Sequence, residues 1–132
     1  MAYQVDFTSA NDDPLPEGAY SVTITAFEEK AAGENAKNPG SKFLMWTLEV
    51  GEPEEFAGRK LWVNTSFLPN ALFTLRNLLR SADPDNAENY DGPIDFEPEE
   101  FLGKSLSVEV IQKPHYQDDT RKVNEVKKFS PL

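Results

Sequence analysis

Apolar and polar residues alternate along five segments of the chain, and this period of two predicts five half-buried β-strands. Residues 20–27 show the pattern most clearly, because Tyr20 and Val22 alternate with serine and threonine. In the last segment Val123, Val126 and Phe129 do not share one parity, which predicts a β-bulge or a slipped register. The predicted strands are residues 20–27, 43–50, 59–67, 105–110 and 122–129.

A helix is predicted between the third and fourth strands. Four leucines recur there at helical spacing, after Pro69, which a first helical turn tolerates, and before residues 83–84, an Asp-Pro pair that ends the pattern. The flank away from these leucines carries Phe73, Arg76 and Arg80, and we expect the two arginines to be solvated or paired with nearby acids. The leucines are Leu72, Leu75, Leu78 and Leu79.

The element order predicts the fold class. Residues 28–42 are polar and contain two glycines, so we expect a long exposed loop, and residues 98–102 predict a short helical turn that Gly103 ends. Three strands, a helix and two more strands is the element order of the OB fold, whereas an SH3-like barrel lacks that helix. The predicted fold is therefore mainly β, a five-stranded OB-fold-like barrel with one helix between strands three and four.

The length of the chain predicts one domain that follows a short arm. A chain of 132 residues buries one sizeable core. Residues 1–18 are acidic and rich in turn residues, so we expect a flexible N-terminal arm, with residues 19–132 forming a single OB-like domain. The sequence has no cysteine, no signal-like N-terminus and no run near the ~20 apolar residues of a membrane span. We expect a cytoplasmic protein.

The acidic and basic residues are segregated along the chain. The formal net charge is −10, which by itself opposes binding to phosphates. Residues 81–103, predicted to form an acidic loop, carry eight acids and no basic residue, whereas residues 104–132 carry six basic residues against four acids. A local basic surface is therefore compatible with the acidic total. The acidic loop is also a candidate site for a basic partner protein.

Few residues suit catalysis or metal binding. The chain has a single histidine, no cysteine and no glycine-rich phosphate loop, so the usual pairs of nucleophile and base are missing. The acids that begin at Asp83 and Asp85 lack the alternate spacing and the sixth-position glycine of a calcium loop. We predict a protein that is not an enzyme, with no catalytic residue, metal or cofactor.

The outer face of the hairpin formed by strands two and three is the first candidate binding surface. If Leu44 and Trp46 point into the core, alternation directs Phe43 and, on the next strand, Trp62 outward. Exposed aromatic rings stack on bases, at ~1–3 kcal/mol per base, while cations follow the phosphates. A register shift of one residue would expose Trp46 instead, and burial of both tryptophans is a further alternative. The cations beside this face are Lys42, Arg59 and Lys60.

The loop between strands four and five is the second candidate surface. In an OB fold this loop lines the same cleft as the loop after strand one, so its basic and aromatic residues are suited to hold a nucleic-acid strand. The alternative is an ordinary polar hairpin tip. Together the two surfaces give the predicted nucleic-acid-binding residues Phe43, Trp62, Lys42, Arg59, Lys60, Lys113, Tyr116, Arg121 and Lys122.

Four short motifs resemble a family of small phage and prophage single-stranded-DNA-binding proteins. They are LPEG before YSV at residues 15–22, GRKLW at 58–62, FLGK at 101–104 and NEVKKF at 124–129. The resemblance implies an OB-like fold, a role in phage DNA replication or recombination in the host cytoplasm, and phage or host replication proteins as possible partners. The chain departs from many single-strand binders in ending with KKFSPL instead of an acidic tail.

Three other functions remain open from the sequence. An acidic interaction module that binds a basic host or phage protein would show no affinity for oligonucleotides. An oligosaccharide-binding OB domain would use the same aromatic face without the lysines, so salt would not weaken it. A small nuclease or enzyme subunit would show metal-dependent turnover. The oligomeric state and the preference between DNA and RNA are not predicted.

Overall fold

Five antiparallel strands and one α-helix form the described part of the chain in a computed structural model, which describes residues 2–4, 13–115, 117 and 120–132. The predictions of a mainly β fold with five strands, and of a helix between the third and fourth, are confirmed. The elements are β1 (Gly18–Ala31), β2 (Lys42–Glu52), β3 (Lys60–Ser66), α1 (Leu72–Ala82), β4 (Ser105–Pro114) and β5 (Lys122–Ser130).

The sheet is open. Its strand order is β3-β2-β1-β4-β5, so β1 is central and β3 and β5 are the two edges. No ladder joins these edges within the described residues, so the sheet does not close into the predicted OB-fold-like barrel, although its two edges lie near each other. Helix α1 contacts both β3 and β5, so it spans the gap where a barrel would close.

A bulge in β1 changes which of its side chains face the core. Ile24 lies opposite Leu48 of β2, whereas Ala26 lies opposite Thr47, which leaves Thr25 as an extra residue. The extra residue shifts the alternation by one position. As a result Phe27 packs on the core tryptophan of β2, with the ring centroids 5.9 Å apart.

Of the two alternatives predicted for β5, a bulge or a slipped register, the bulge is confirmed. Val110 of β4 lies opposite Val126, but its neighbour Glu109 lies opposite Lys128, so Lys127 has no partner in the ladder. The bulge brings Val126 and Phe129 to the same face, where both pack against the core. It also lets two adjacent lysines occupy an edge strand without breaking the burial pattern.

Trp46 lies at the centre of the core and Trp62 on the surface. Trp46 is 0% exposed and its Nε1 donates a hydrogen bond to Thr65 Oγ1 at 2.8 Å, whereas Trp62 is 58% exposed. The inward orientation predicted for β2 is confirmed, and the alternatives with an exposed Trp46 or with both tryptophans buried are wrong. Three of the four helix leucines complete the core from the other side: Leu75, Leu78 and Leu79.

The Trp46 hydrogen bond gives a stability prediction. We expect Thr65→Val to lower the free energy of unfolding by about 1–3 kcal/mol, because a buried indole N–H then lacks an acceptor. The matched control is Thr47→Val, on the half-buried outer face of β2, which we expect to stay within about 0.5 kcal/mol of the wild type. Urea denaturation measures both variants, and equal losses would contradict a role for the hydrogen bond.

The acidic segment 81–103 is packed onto the domain. It contains 3₁₀ segments at Pro84–Asp91 and Pro98–Phe101, and the second of these confirms the predicted helical turn. Phe96 links the segment to the core, with ring centroids 6.3 Å from Trp46 and 5.8 Å from Phe101. Arg80 pairs with Asp91, as expected for an arginine near acids.

A tyrosine–carboxylate hydrogen bond holds the start of this segment and makes its stability depend on pH. Tyr90 Oη donates to Asp83 Oδ2 at 2.8 Å. Burial, assisted by this carboxylate, raises the pKa of Tyr90 to about 12. The hydrogen bond from Tyr90 lowers the pKa of Asp83, with Asn86 and Lys104 contributing, against an opposing effect of burial.

We expect Tyr90→Phe to destabilise the protein by about 1.5–3 kcal/mol near pH 7, the usual contribution of a hydrogen bond to a charged group. The difference from the wild type should shrink above pH ~10, where the unfolded tyrosine ionises, and below pH ~4, where unfolded aspartate is protonated. Urea denaturation across pH measures this difference. A constant difference from acid to alkaline pH would contradict the coupling.

The residues just before β1 lie against β4 and β5. Leu15 is 1% exposed, and its N–H donates to Asn124 Oδ1 at 2.8 Å. The Asn124 and Gln112 side-chain amides each donate to the Leu15 carbonyl oxygen at 3.0 Å. Residues 1 and 5–12 of the predicted arm lie outside the described residues. None of the helices described is long and apolar enough to cross a membrane.

Candidate nucleic-acid interface

A cleft of about 750 Å³ lies between the edge strands β3 and β5, where the sheet does not close. Helix α1 forms one wall. In the following, "the cleft" means this space. The residues that give it its chemical character are Trp62 and Asn64 of β3, Phe73 and Asn77 of α1, Lys113 of β4 and residues 124–129 of β5.

Two exposed aromatic rings line the cleft. Trp62 alternates along β3 with the buried Leu61 and Val63, so its ring is directed away from the core, and it is 58% exposed. Phe73 lies on the first turn of α1, beside the leucine stripe that packs on the core, and is 59% exposed. Fully burying a side chain of this kind contributes about 1.5–3 kcal/mol. A ligand that covers the two rings would therefore gain binding free energy from both.

The cleft is positively charged although the protein is acidic. Among the described residues, Lys113, Lys127 and Lys128 line it together with a single acid, Glu125, so their formal charges sum to +2 in a chain of −10. Lys113 Nζ lies 3.5 Å from Glu125 Oε1. Neither Lys127 nor Lys128 has a carboxylate within ion-pair distance among the described residues. These two cations are therefore available to an anionic ligand.

Three of the predicted site residues lie in or beside the cleft. Trp62 and Lys113 line it, and Lys60 lies two positions from Trp62 on the same face of β3, opposite Glu49 of β2. Phe43 is half-buried on the outer face of β2, four positions along that strand from the partner of Trp62, or ~13 Å away. The ring of Phe43 is therefore separated from the cleft.

The other predicted residues have different surroundings. Lys42 Nζ pairs with Glu29 Oε1 at 3.3 Å, and Lys42 shares the parity of Leu44, so it does not share the face of Phe43. An Arg59 Nη donates to the Asp13 carbonyl oxygen at 2.6 Å and ties the segment before β1 to the hairpin. Arg121 and Lys122 are exposed, the first just before β5 and the second at its start. Tyr116 lies outside the described residues.

Among the cleft residues that were not predicted, three contribute an exposed ring or a positive charge: Phe73, Lys127 and Lys128. The sequence shows Phe73 as an aromatic residue on the polar flank of the helix. Its position in the same cleft as Trp62 depends on where α1 packs against the sheet edges. Lys127 and Lys128 form a basic pair at the predicted bulge, and that combination was the available indication in the sequence.

A family model described as "Protein of unknown function (DUF669)" matches residues 5–132 of the chain. No curated protein matches it. The matched range contains both edge strands and the helix, so the whole cleft lies inside the domain that the family shares.

Proposed function

We propose that this chain, which belongs to the DUF669 family, is a non-enzymatic, sequence-tolerant single-stranded-DNA-binding protein whose site is the cleft. One observation carries the proposal: an acidic chain places two exposed aromatic rings and three lysines in one cleft. Rings that stack on bases beside cations that follow phosphates are the combination used by single-strand binders. The motif resemblance supports a role in phage DNA replication or recombination.

The aromatic residues favour a single strand over a duplex. Trp62 and Phe73 offer ring faces to ligands, and a base can stack on such a face only when it has left the stack of a duplex. The side-chain amides of Asn64 and Asn77 supply hydrogen-bonding groups along the same walls without a fixed charge. This composition favours binding that tolerates many sequences, because every base has a flat apolar face.

We also infer that the sheet is an open relative of the OB barrel. The order β3-β2-β1-β4-β5 leaves the first and last members near each other, as expected for a partly closed five-stranded barrel. The helix between β3 and β4 supports the same assignment. On this inference the cleft is the opening in the barrel, and we expect the ligand to lie between β3 and β5 as well as on the hairpin face.

Fluorescence anisotropy of labelled oligo-dT, measured beside matched duplex DNA, tests the proposed function. We expect saturable binding that prefers the single strand and weakens with salt, with a slope in log K of ~0.7 for each phosphate contacted. Absence of binding at low salt would overturn the proposal. A preference for duplex would overturn the stacking argument.

The alternative is an acidic protein-interaction module, which one observation favours. The acidic segment is packed onto the core through Phe96 and the Tyr90–Asp83 hydrogen bond, so its carboxylates form a surface of defined shape. A basic partner protein would suit that surface. This function predicts a protein complex that salt weakens, and no affinity for oligonucleotides.

Glu125 is the acid that lines the cleft, and its neutralisation should tighten DNA binding, whereas the other substitutions in the cleft should weaken it. We expect Glu125→Gln to tighten binding to oligo-dT by about 1.5- to 5-fold, because Lys113 is released from an exposed ion pair worth about 0.2–1 kcal/mol. Glu88→Gln makes the same change in net charge on the exposed acidic segment and should leave the Kd nearly unchanged. Anisotropy titrations at one salt concentration compare them, and equal effects would indicate a response to net charge alone.

A further inference from the structure

An apolar groove of about 540 Å³ adjoins the cleft. It lies between the end of β3, the first turns of α1 and residues 90–96 of the acidic segment. Four large apolar side chains in it are exposed by between 41% and 59%. They are Phe67, Leu72, Phe73 and Ile94.

Phe73 connects the groove to the cleft. Its side chain lines both spaces, so the exposed ring of Phe73 forms the ridge between them. A strand that leaves the cleft over this ridge enters the groove directly. Both sides of the ridge therefore offer apolar contact to consecutive bases.

The groove also holds a cation that is free to pair with a ligand. Arg76 lies one helical turn after Phe73 and lines the groove. Arg80, one turn further, is paired with Asp91, the acid that also lines the groove. Arg76 has no ion-pair partner within the described part of the chain, so its guanidinium is available to an anionic ligand, whereas Asp91, which also lines the groove, is paired with Arg80.

We propose that the groove is a second subsite for the same DNA strand and holds the nucleotides that follow those stacked in the cleft. This inference rests on the proposed function. Two features favour a DNA strand as the occupant of the groove. The groove continues the cleft through Phe73, and Arg76 supplies the positive charge that a phosphate needs. Phe67 and Ile94 supply the apolar contact for a base. A hydrophobic peptide, the rival occupant, would leave Arg76 without a partner.

The length dependence of oligo-dT binding tests this second subsite. Single OB-type sites cover ~4–16 nucleotides, so anisotropy titrations use dT4, dT8, dT12 and dT16 at fixed salt. We expect the wild-type affinity to rise with length until cleft and groove are both filled. Ile94→Asp should stop that rise at a shorter length and weaken dT16 by about 5-fold or more, because it removes an apolar contact to a base and places a carboxylate near the phosphates.

Arg76 variants provide the second arm of the test. Arg76→Gln should lower the salt slope for dT16 by ~0.7 and leave dT4 unaffected, and Arg76→Lys should restore the slope. Arg76 is exposed and Ile94 is 45% exposed, so we expect both variants to fold, which circular dichroism melting checks.

The two proposals fail in different ways. If Trp62→Ala weakens every oligonucleotide but the Ile94 and Arg76 variants match the wild type at every length, the second subsite is overturned and the proposed function stands. If the wild type binds no oligonucleotide at any length, both are overturned. Binding of a hydrophobic peptide that Ile94→Asp abolishes, without any length effect for oligo-dT, would assign the groove to the rival occupant.

Discussion

Replacing Trp62 by alanine should raise the Kd for oligo-dT by about 5- to 150-fold while leaving the fold intact. The range corresponds to the ~1–3 kcal/mol that one stacked base contributes. The fold should survive because the ring is 58% exposed and its β3 neighbours Leu61 and Val63 supply the core contacts. Anisotropy titration gives the Kd, and thermal melting followed by circular dichroism checks the fold.

Two further variants make this result specific. Trp62→Phe keeps a smaller stacking face and should lose less affinity than alanine. Leu102→Ala truncates another exposed apolar side chain, outside the cleft, and should bind as the wild type does. An unchanged Kd for Trp62→Ala, or loss of the folded state in that variant, would contradict the assignment of Trp62 as the stacking platform.

Neutralising the three lysines of the cleft should remove most of the electrostatic part of the affinity for oligo-dT. The variant with Lys113, Lys127 and Lys128 replaced by glutamine loses up to three phosphate contacts, so the salt slope should fall by ~2. At low salt, near 50 mM, this corresponds to a loss of affinity of about several hundred-fold. Anisotropy titrations at four salt concentrations give the slope directly.

The matched control removes three lysines from the end of the sheet at the β1–β2 turn. Replacing Lys30, Lys37 and Lys42 by glutamine changes the net charge by the same amount, away from the cleft. We expect only a small change in slope. An equal or larger fall in the control would place the phosphate track at that turn, which carries Lys42, one of the predicted binding residues.

Hydrophobic alternation predicted the strands wherever one face is buried. One of the assignments that it left open put Trp46 inside and Trp62 outside, because Leu44 and Leu48 share the parity of Trp46, and the structure selects this one. Alternation missed the last residues of β1, where residues 28–31 form an exposed ribbon with β2 and carry no apolar pattern. Alternation reports burial, so a strand held by its ladder alone gives no such pattern.

Closure of the sheet lay beyond local patterns. Whether β3 and β5 pair depends on a contact between segments about 60 residues apart, and no spacing within either strand reports it. Some irregularity in β5 was predictable, because Val123, Val126 and Phe129 do not share one parity. Its consequence, a basic pair facing a cleft, was not.

Among the binding residues, too, those set by local alternation were predicted and those set by contacts between distant segments were not. Trp62 was found because strand parity is a local property. Lys42 and Arg59 were placed beside it from their positions in the sequence, yet at strand ends the side chains follow local partners, here Glu29 and the Asp13 carbonyl oxygen. Phe73 was not found because a helix residue meets a strand residue only through the packing of α1.

The most direct test of the cleft as the DNA site is the intrinsic tryptophan emission during an oligo-dT titration. The protein has two tryptophans, Trp62 in the cleft and the fully buried Trp46. We expect saturable quenching that follows the anisotropy signal in the wild type and disappears in Trp62→Phe, although that variant still binds. Saturable binding with unchanged emission, or equal quenching in Trp62→Phe, would contradict the assignment of the DNA site to the cleft.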